Sequence, residues 1–550
     1  MATTTQVVNV AARLAAMARE RPDQIAVAMP GRRRGKQRRA YQTITFAELD
    51  QTSDRIARGL RLLGAPRGAR LALFVPPSIE FIALVFGLFK AGAAPVLIDP
   101  GMGRGNLLGC LDEARPEGFV AVPLVHAIRV LMRRRYAGAR WNVTVGRRWF
   151  WRGATYDSLL GGAWSGPELV ETAADDPAAI IFTSGSTGPP KPVLYRHGNF
   201  DRQVEELRDQ YSVAPGEIDL PGFPLFGLFN AAMGVTTVIP DMAPTRPARV
   251  DPERIVEAIG DWQVTQAFGS PAIWNRVGPY CQSRGIMLPS LRRVLSAGAP
   301  VDPRVLETMR SCLGDGGEIH TPYGATEALP VSTIAAGEVL AETQHAWRAG
   351  RGTCVGRRFP GIEWRIIAIT DEPIATSDDV RDVPRGEIGE LIVCGPVVTT
   401  YYERPEANAA AKIADPAGFW HRMGDVGYFD EHDRFWFCGR KAHRVITVDG
   451  TLFTDPVEGV MNQHPDVFRS ALVGIGPQGQ QRPVVVVELR PGRSPPADAL
   501  FAELRQLAAS NQVTERIQDF LIHPSFPVDV RHNAKIFREK LAVWAATQIG

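Results

Sequence analysis

TSGSTGPPK, residues 183–191, decides how the rest of this chain is read. It leaves a short apolar run, Ala179–Thr183, whose composition predicts a buried strand. Thr183, Ser184, Ser186 and Thr187 supply hydroxyl donors. Gly185 and Gly188 let backbone N–H groups converge on one point, and Lys191 adds a full positive charge. Together they suit an anion such as a triphosphate. The spacing fails the G-x-x-x-x-G-K-[ST] pattern, because Pro189 and Pro190 stand between the last glycine and the lysine. A slack linker fits poorly, since proline stiffens the chain and linkers do not start from a buried strand. Downstream, Asn199 is a candidate N-cap for a helix over 200–211.

Outward from the loop, strand-like and helix-like segments alternate from about 40 to 440. ARLALFVP (69–76) predicts a strand, SIEFIALVFGLFKAG (78–92) a buried helix and APVLID (94–99) a further strand. The runs VTQAFGSP and RRVLSAGAP repeat the theme. This is the βαβ pattern of a largely parallel sheet covered on both faces. Near 370–450 the texture changes to apolar/polar alternation in EIGELIVCGP, GYFDEHDRFWFCGR and HRVITVDG, as antiparallel strands show. A helix and strands follow, in PVEGVMNQHPDVFRSALVGI and RPVVVVELRP. PADALFAELRQLAAS and NAKIFREKLAVWAA close the chain as helices. The expected fold is α/β, with a large domain over 1–440 and a small α+β domain over 441–550.

Composition excludes several classes. The 550 residues are 45% hydrophobic and 22% charged, with a net charge of +3, as in soluble globular chains without a general affinity for polyanions. Six cysteines are scattered without a C-x-x-C pair, which speaks against a disulfide framework or zinc site and for a reducing cytoplasm. The N-terminus lacks a signal-peptide core, and FIALVFGLF (81–89) is too short to cross a bilayer. Two basic stretches stand out. GRRRGKQRR (31–39) reads as a solvated loop between strands. Residues 133–153 interleave arginine with Trp141, Trp149, Phe150 and Trp151. A solvated loop or hairpin is the first reading of that stretch, and a docking surface for a partner or membrane the second. No nucleic-acid motif accompanies it, so no nucleic-acid partner is expected.

Further motifs follow the loop in order: LFKAGAAPVLIDP (88–100), SAGAP (296–300), TPYGATE (321–327), MGDVGYFD (423–430), CGR (438–440) and NAKIFREKL (533–541). With 183–191 they resemble the ordered signatures of the adenylate-forming superfamily, which includes acyl-CoA synthetases, nonribosomal adenylation domains and luciferases. The resemblance runs from about residue 40 to the C-terminus. It implies that ATP is gripped by Thr183, Ser184, Gly185, Ser186, Thr187, Gly188 and Lys191, with Gly298, Ala299 and Pro300 as an adenine wall. Tyr323, Gly324 and Ala325 would lie along adenine, with Thr326 on a phosphate oxygen. Glu327 would be the Mg²⁺ ligand, a hard oxygen donor for a hard cation. Asp425 would accept from both ribose hydroxyls, and Arg440 would reach ribose or phosphate. Lys535, on a mobile small domain, would stabilise charge as the adenylate forms. Taken singly, each motif after the loop reads first as an ordinary turn or a surface side chain.

Departures from the family pattern matter as well. Pro192 stands where glycine follows the lysine, Gly227 replaces a histidine and so implies a more open acyl site, and Asn533-Ala534 precede Lys535. The resemblance implies a hinge soon after the G-R pair, and where an Asp or Lys is usual this chain offers Ala442 or His443. LIDPGMGRGNLLGCLDEARP, TGPPKPVLYRHGNF and GFPLFGLFNAAMGVTTVIPDMAPTRPA resemble the bacterial olefin-biosynthesis β-lactone synthetases. That resemblance implies adenylation of a long-chain 2-alkyl-3-hydroxy acid, then attack by its own 3-hydroxyl to close a β-lactone. The partners it implies are the enzymes of that pathway, a β-lactone decarboxylase and a reductase. An acyl-CoA or acyl-AMP ligase shares the first half-reaction, and a non-catalytic nucleotide-binding scaffold is the remaining alternative.

Overall fold

The computed structural model describes residues 8–33, 39–161, 166–183, 189–528 and 536–549. An eight-stranded sheet runs in the order Thr400–Tyr401, Pro192–Arg196, Pro177–Phe182, Ala94–Leu97, Arg70–Phe74, Gly118–Ala121, Trp141–Thr144, Ala154–Thr155. Its central pairs are parallel, as the short apolar runs predict, and its first two pairs are antiparallel. A seven-stranded sheet carries Gln266–Gly269 and Arg293–Ser296 as parallel neighbours. A third, antiparallel sheet holds Gly389–Cys394, Gly418–Phe429 and Phe435–Arg440, the region of alternating pattern.

The helix Ile79–Lys90 is buried along its length, which explains why its sequence shows no polar face. Its last residue, Lys90, is 1% exposed and is held by Asp50 at 2.5 Å and Asp54 at 2.6 Å. A buried ammonium requires such partners. After Arg440 the chain builds separate cores: Val445, Val457 and Leu472 pack with Leu500 and Phe520, while Ala471 and Val484 pack with Phe526 and Leu541. The molecule is thus a mixed α/β structure, with a large N-terminal domain and a smaller C-terminal one. All six cysteines are free thiols, and no helix among the described residues is long and apolar enough to cross a membrane.

Two local expectations are corrected and one strand is added. Asn199 does not cap its helix: the helix is His197–Tyr211, and the Asn199 side chain at its third position accepts from Arg196 N at 2.9 Å. Between Lys191 and that helix lies a strand, Pro192–Arg196, paired antiparallel with Pro177–Phe182. Residues 133–153 form no hairpin, because Trp141–Thr144 pairs parallel with Gly118–Ala121.

Candidate functional site

A cavity of 820 Å³ opens where the three sheets and the small domain meet. Thr183 and Lys191, Gly298 to Pro300, Tyr323 to Glu327, Asp425 and Arg440 all line it. Residues separated by more than 250 positions are thus brought to one place. Ser184, Gly185, Ser186, Thr187, Gly188 and Lys535 lie outside the described residues.

The ends of the 183–191 loop are tied together. Thr183 N donates to Lys191 O at 3.0 Å, and Lys191 N donates to Thr183 Oγ1 at 3.1 Å. The lysine therefore leads into a strand rather than a helix, so no helix dipole follows this loop. Pro192 takes the first position of that strand, where a missing ladder donor is tolerated, and its carbonyl accepts from Tyr402 N at 2.9 Å.

Tyr323–Ala325 pairs antiparallel with Ala328–Thr333, so Thr326 and Glu327 occupy the turn between them. The turn is held from the eight-stranded sheet. Tyr195 Oη donates to Thr326 O at 2.7 Å, while Thr399 N and Oγ1 donate to Glu327 O at 2.9 and 3.0 Å. Only the carboxylate of Glu327 remains to be aimed, and Tyr401 does so: its Oη donates to Oε1 at 2.9 Å. Burial, and then the neighbouring Glu327, push the Tyr401 phenol far above its ordinary range. The hydroxyl is therefore a fixed donor.

Asp425 sits mid-strand, directly opposite Arg440 in the antiparallel pair, and not at a strand end. Tyr323 Oη donates to Asp425 Oδ2 at 2.5 Å. Arg440 Nη1 lies 2.9 Å from Oδ1 but directs its hydrogen bond to Met423 O at 2.8 Å. Oδ1 is consequently buried with no hydrogen-bond partner among the described residues. Such an atom carries a desolvation cost unless something donates to it. A vicinal diol is one group that can. Desolvation and the adjacent Asp425 hold the Tyr323 phenol well above its ordinary value, and Asp425 raises the Arg440 guanidinium.

Sequence reasoning missed two residues here. Tyr401 is one. The other is Lys412, whose Nζ donates to Thr399 O and lies 5.7 Å from the Tyr401 ring centroid and 5.1 Å from that of Phe419. Burial lowers this ammonium to about 7, opposed by the charge of Glu327. Lys191 Nζ stands over the same tyrosine ring at 5.1 Å. Nothing in TTYYERPEANAAAKI marks these residues, because their meaning lies in contacts across the sheet.

Gly227 does not widen the site. It is buried, and a Cβ there would meet Thr237 Cγ2 at 3.3 Å. Phe226 and Phe268 likewise stack on each other, at 3.8 Å between centroids, and belong to the core. The apolar lining comes instead from Pro271, Ala272 and Trp274, with Val305, Leu306 and Trp347. From the small domain, Ile536 and Arg538 reach the lining, and Arg538 pairs with Glu458 at 2.6 and 2.9 Å.

No cluster of three or more His, Cys, Asp or Glu able to hold a metal occurs among the described residues. Glu327 is a single hard oxygen donor, which fits Mg²⁺: that ion takes one or two carboxylates and completes its shell with phosphate oxygens and water.

The family described as AMP-binding enzyme matches residues 14–403. The olefin beta-lactone synthetase of Xanthomonas campestris pv. campestris is 50% identical over 556 residues, covering 99% of this chain and 98% of its own. That of Stenotrophomonas maltophilia is 50% identical over 550 residues, covering 98% of each. Among solved structures, the amide bond synthetase McbA from Marinactinospora thermotolerans superposes with a TM-score of 0.79 at 22% identity, covering 97% of this chain and 99% of that one.

Proposed function

The chain belongs to the AMP-binding enzyme family and is an AMP-forming ligase; on that premise we propose that it is a β-lactone synthetase. It adenylates a long-chain 2-alkyl-3-hydroxy acid with ATP and closes the product on itself. The observation that carries this reading is identity at half of the aligned positions, over essentially the whole chain, with two proteins named olefin beta-lactone synthetase.

The geometry of the described residues supports the following roles. The substrate carboxylate attacks the α-phosphorus of ATP, a P–O bond forms, and pyrophosphate leaves. The barrier is charge on phosphate oxygens, so fixed donors and cations are what the site must supply. Thr183, Lys191 and Thr326 face that charge, and the hydroxyls and backbone N–H groups of residues 184–188 would add donors. Asp425 Oδ1 accepts from the ribose, with Tyr323 and Arg440 fixing the carboxylate. Gly298, Ala299 and Pro300, with Gly324 and Ala325, flank adenine. Glu327, aimed by Tyr401, would hold Mg²⁺, which when bound neutralises phosphate charge. Lys535 contributes its charge from the domain over 441–550, which moves against the domain over 1–440.

In the second step the 3-hydroxyl oxygen attacks the acyl carbon and the bond to AMP breaks. The hydroxyl proton passes to water. Because nucleophile and electrophile share one molecule, proximity replaces an acceptor site. The apolar lining around Trp274 suits the alkyl chains. Enzymes of a long-chain olefin pathway, a reductase that supplies the 3-hydroxy acid and a decarboxylase that consumes the lactone, are the partners this reading assigns, in the cytoplasm.

Incubation with ATP, Mg²⁺ and a 2-alkyl-3-hydroxy acid should yield a β-lactone by mass spectrometry and NMR, with AMP in equal amount. Rapid thioester formation on addition of CoA and a plain fatty acid, without lactone from the hydroxy acid, would sink the proposal. Lys535→Ala should cut pyrophosphate release. Undiminished release would remove that residue from the mechanism.

A further inference from the structure

The helix Pro123–Leu131 turns Leu124, Ile128 and Leu131 outward, at 63%, 48% and 83% exposure. Spacings of four and three put them on one face. Beneath the helix, His126 is buried with Nε2 2.9 Å from Val143 O, and the Trp151 ring packs against it at 5.7 Å. Trp151 is itself fixed, its Nε1 donating to Thr144 Oγ1 at 2.9 Å. Trp149 and Phe150 lean on Trp151 at 5.6 and 5.2 Å between centroids, while both are exposed. Helix and loop therefore share one rigid base. Five of the thirteen exposed large hydrophobics among the described residues fall within 124–150, so they are not the scattered single residues of an ordinary surface.

Within the stretch itself the charge has one sign. Between Glu117 and Asp157 there is no acidic residue, and there are eight arginines: 129, 133, 134, 135, 140, 147, 148 and 152. Arg135 is drawn to Asp112 and Arg148 donates to Gly153 O, while Arg133, Arg134, Arg147 and Arg152 are exposed. An aliphatic stripe, two exposed aromatics and a one-signed arginine rim form the pattern of an interfacial anchor. Nucleic acid would use the arginines but has no need of Leu124, Ile128 and Leu131. A second copy placed across a twofold axis would set arginine against arginine.

We propose that the face formed by helix Pro123–Leu131 and the Trp149–Phe150 loop docks the protein on an anionic lipid bilayer. The apolar side chains enter the boundary between headgroups and acyl chains, and the arginines meet lipid phosphates. This inference stands apart from the reaction proposed above and does not depend on it.

The test is co-sedimentation of the full-length protein with vesicles of phosphatidylcholine and phosphatidylglycerol at about 70:30, against pure phosphatidylcholine. Pelleting with the anionic vesicles, reversed by 0.5 M salt, is expected. An arginine near a charged surface is worth roughly a fivefold gain in partitioning, so Arg147→Gln/Arg148→Gln should lower it about 25-fold. Trp149→Ala/Phe150→Ala should lower it even at low salt. All four side chains are exposed, so matching melting curves and unchanged pyrophosphate release from a soluble acid confirm that the fold is intact. Failure to pellet with either vesicle, or pelleting of the variants like the parent chain, overturns the proposal. So does a dimer in sedimentation velocity, or tight binding to duplex DNA, that the same substitutions abolish.

Discussion

Tyr401→Phe removes one hydroxyl and leaves everything else at that position. The ring is 6% exposed, sits in the core and keeps its place under Lys191 at 5.1 Å and Lys412 at 5.7 Å. What disappears is the 2.9 Å hydrogen bond to Glu327 Oε1. The other anchors of Glu327 end on its backbone carbonyl, so they hold the turn without aiming the carboxylate. A hydrogen bond to a charged group is worth about 1.5–3 kcal/mol, which corresponds to a roughly 10–150-fold change in a rate or equilibrium constant. The expected result is a loss of that size in kcat/KM for pyrophosphate release at low Mg²⁺, with half-saturation shifted to higher Mg²⁺. In a Glu327→Gln background the same substitution should add little, because both act through one carboxylate. Activity within twofold of the parent at every Mg²⁺ concentration, or full additivity in the double variant, would refute the claim that Tyr401 positions Glu327.

Asp219 lies wholly buried beside Asn230 Nδ2 at 2.7 Å, and desolvation raises its carboxyl to about 7. A raised acid binds more protons folded than unfolded, so its stabilisation is complete below about pH 4 and is lost as pH rises to about 7. Asp219→Asn should flatten that decline and stabilise the protein at pH 8 by at most about 4 kcal/mol, seen in denaturation curves at pH 5 and 8. Gly427→Ala should cost about 3 kcal/mol or more, since its Cβ would stand 2.0 Å from Trp436 O, whereas Gly109→Ala, in a helix with nothing within 4 Å, should gain roughly 0.5–1 kcal/mol. Thermal melts separate the two. Arg538→Met leaves the Glu458 carboxylate, 13% exposed, without its cation though still accepting from Leu472 N at 2.9 Å, and should destabilise the small domain by about 3 kcal/mol; adding Glu458→Gln should restore part of it.

The alternation of strands and helices was legible because apolar period survives any tertiary context: 70–74, 79–90 and 94–97 lie where the runs place them. Pairing was less legible. Trp141–Thr144 looks like a hairpin arm until its parallel partner is known, and nothing local states which strand lies beside it. Asn199 shows how a local rule loses by three positions. Its side chain does satisfy a backbone N–H at the helix start, but from within the first turn and not from the cap. The candidate site was legible where a residue type has a narrow chemical use, as with Glu327 and Asp425. It was illegible at Tyr401 and Lys412, which matter only because an edge strand and the one that follows bring them against residue 327. Gly227 misled for the same reason: a small residue suggests space, and here the space is filled by Thr237.

The segment after Arg440 narrows where the small domain can turn. Lys441 Nζ is anchored to the large domain, donating to Thr370 O at 2.8 Å and to Glu390 Oε2 at 3.0 Å. Glu390 is 1% exposed and also accepts from Arg422 at 2.6 Å, so withdrawing Lys441 would disturb a buried charge network. Beyond it the ties are weaker. His443 meets the exposed Glu539 at 3.2 Å, and Arg444 meets the exposed Asp371 at 2.6 Å. The carboxylate of each pair is open to water, so each pair contributes about 0–1 kcal/mol and re-forms elsewhere at little cost. Ala442 carries no polar side chain at all. A rotation that kept the buried network intact would therefore begin after Lys441, within the single turn Lys441–His443, whose closing bond is Arg444 N on Lys441 O at 3.4 Å. Under the proposed reaction, Arg440 and Asp425 would then keep their places while Ile536 and Arg538 change their approach.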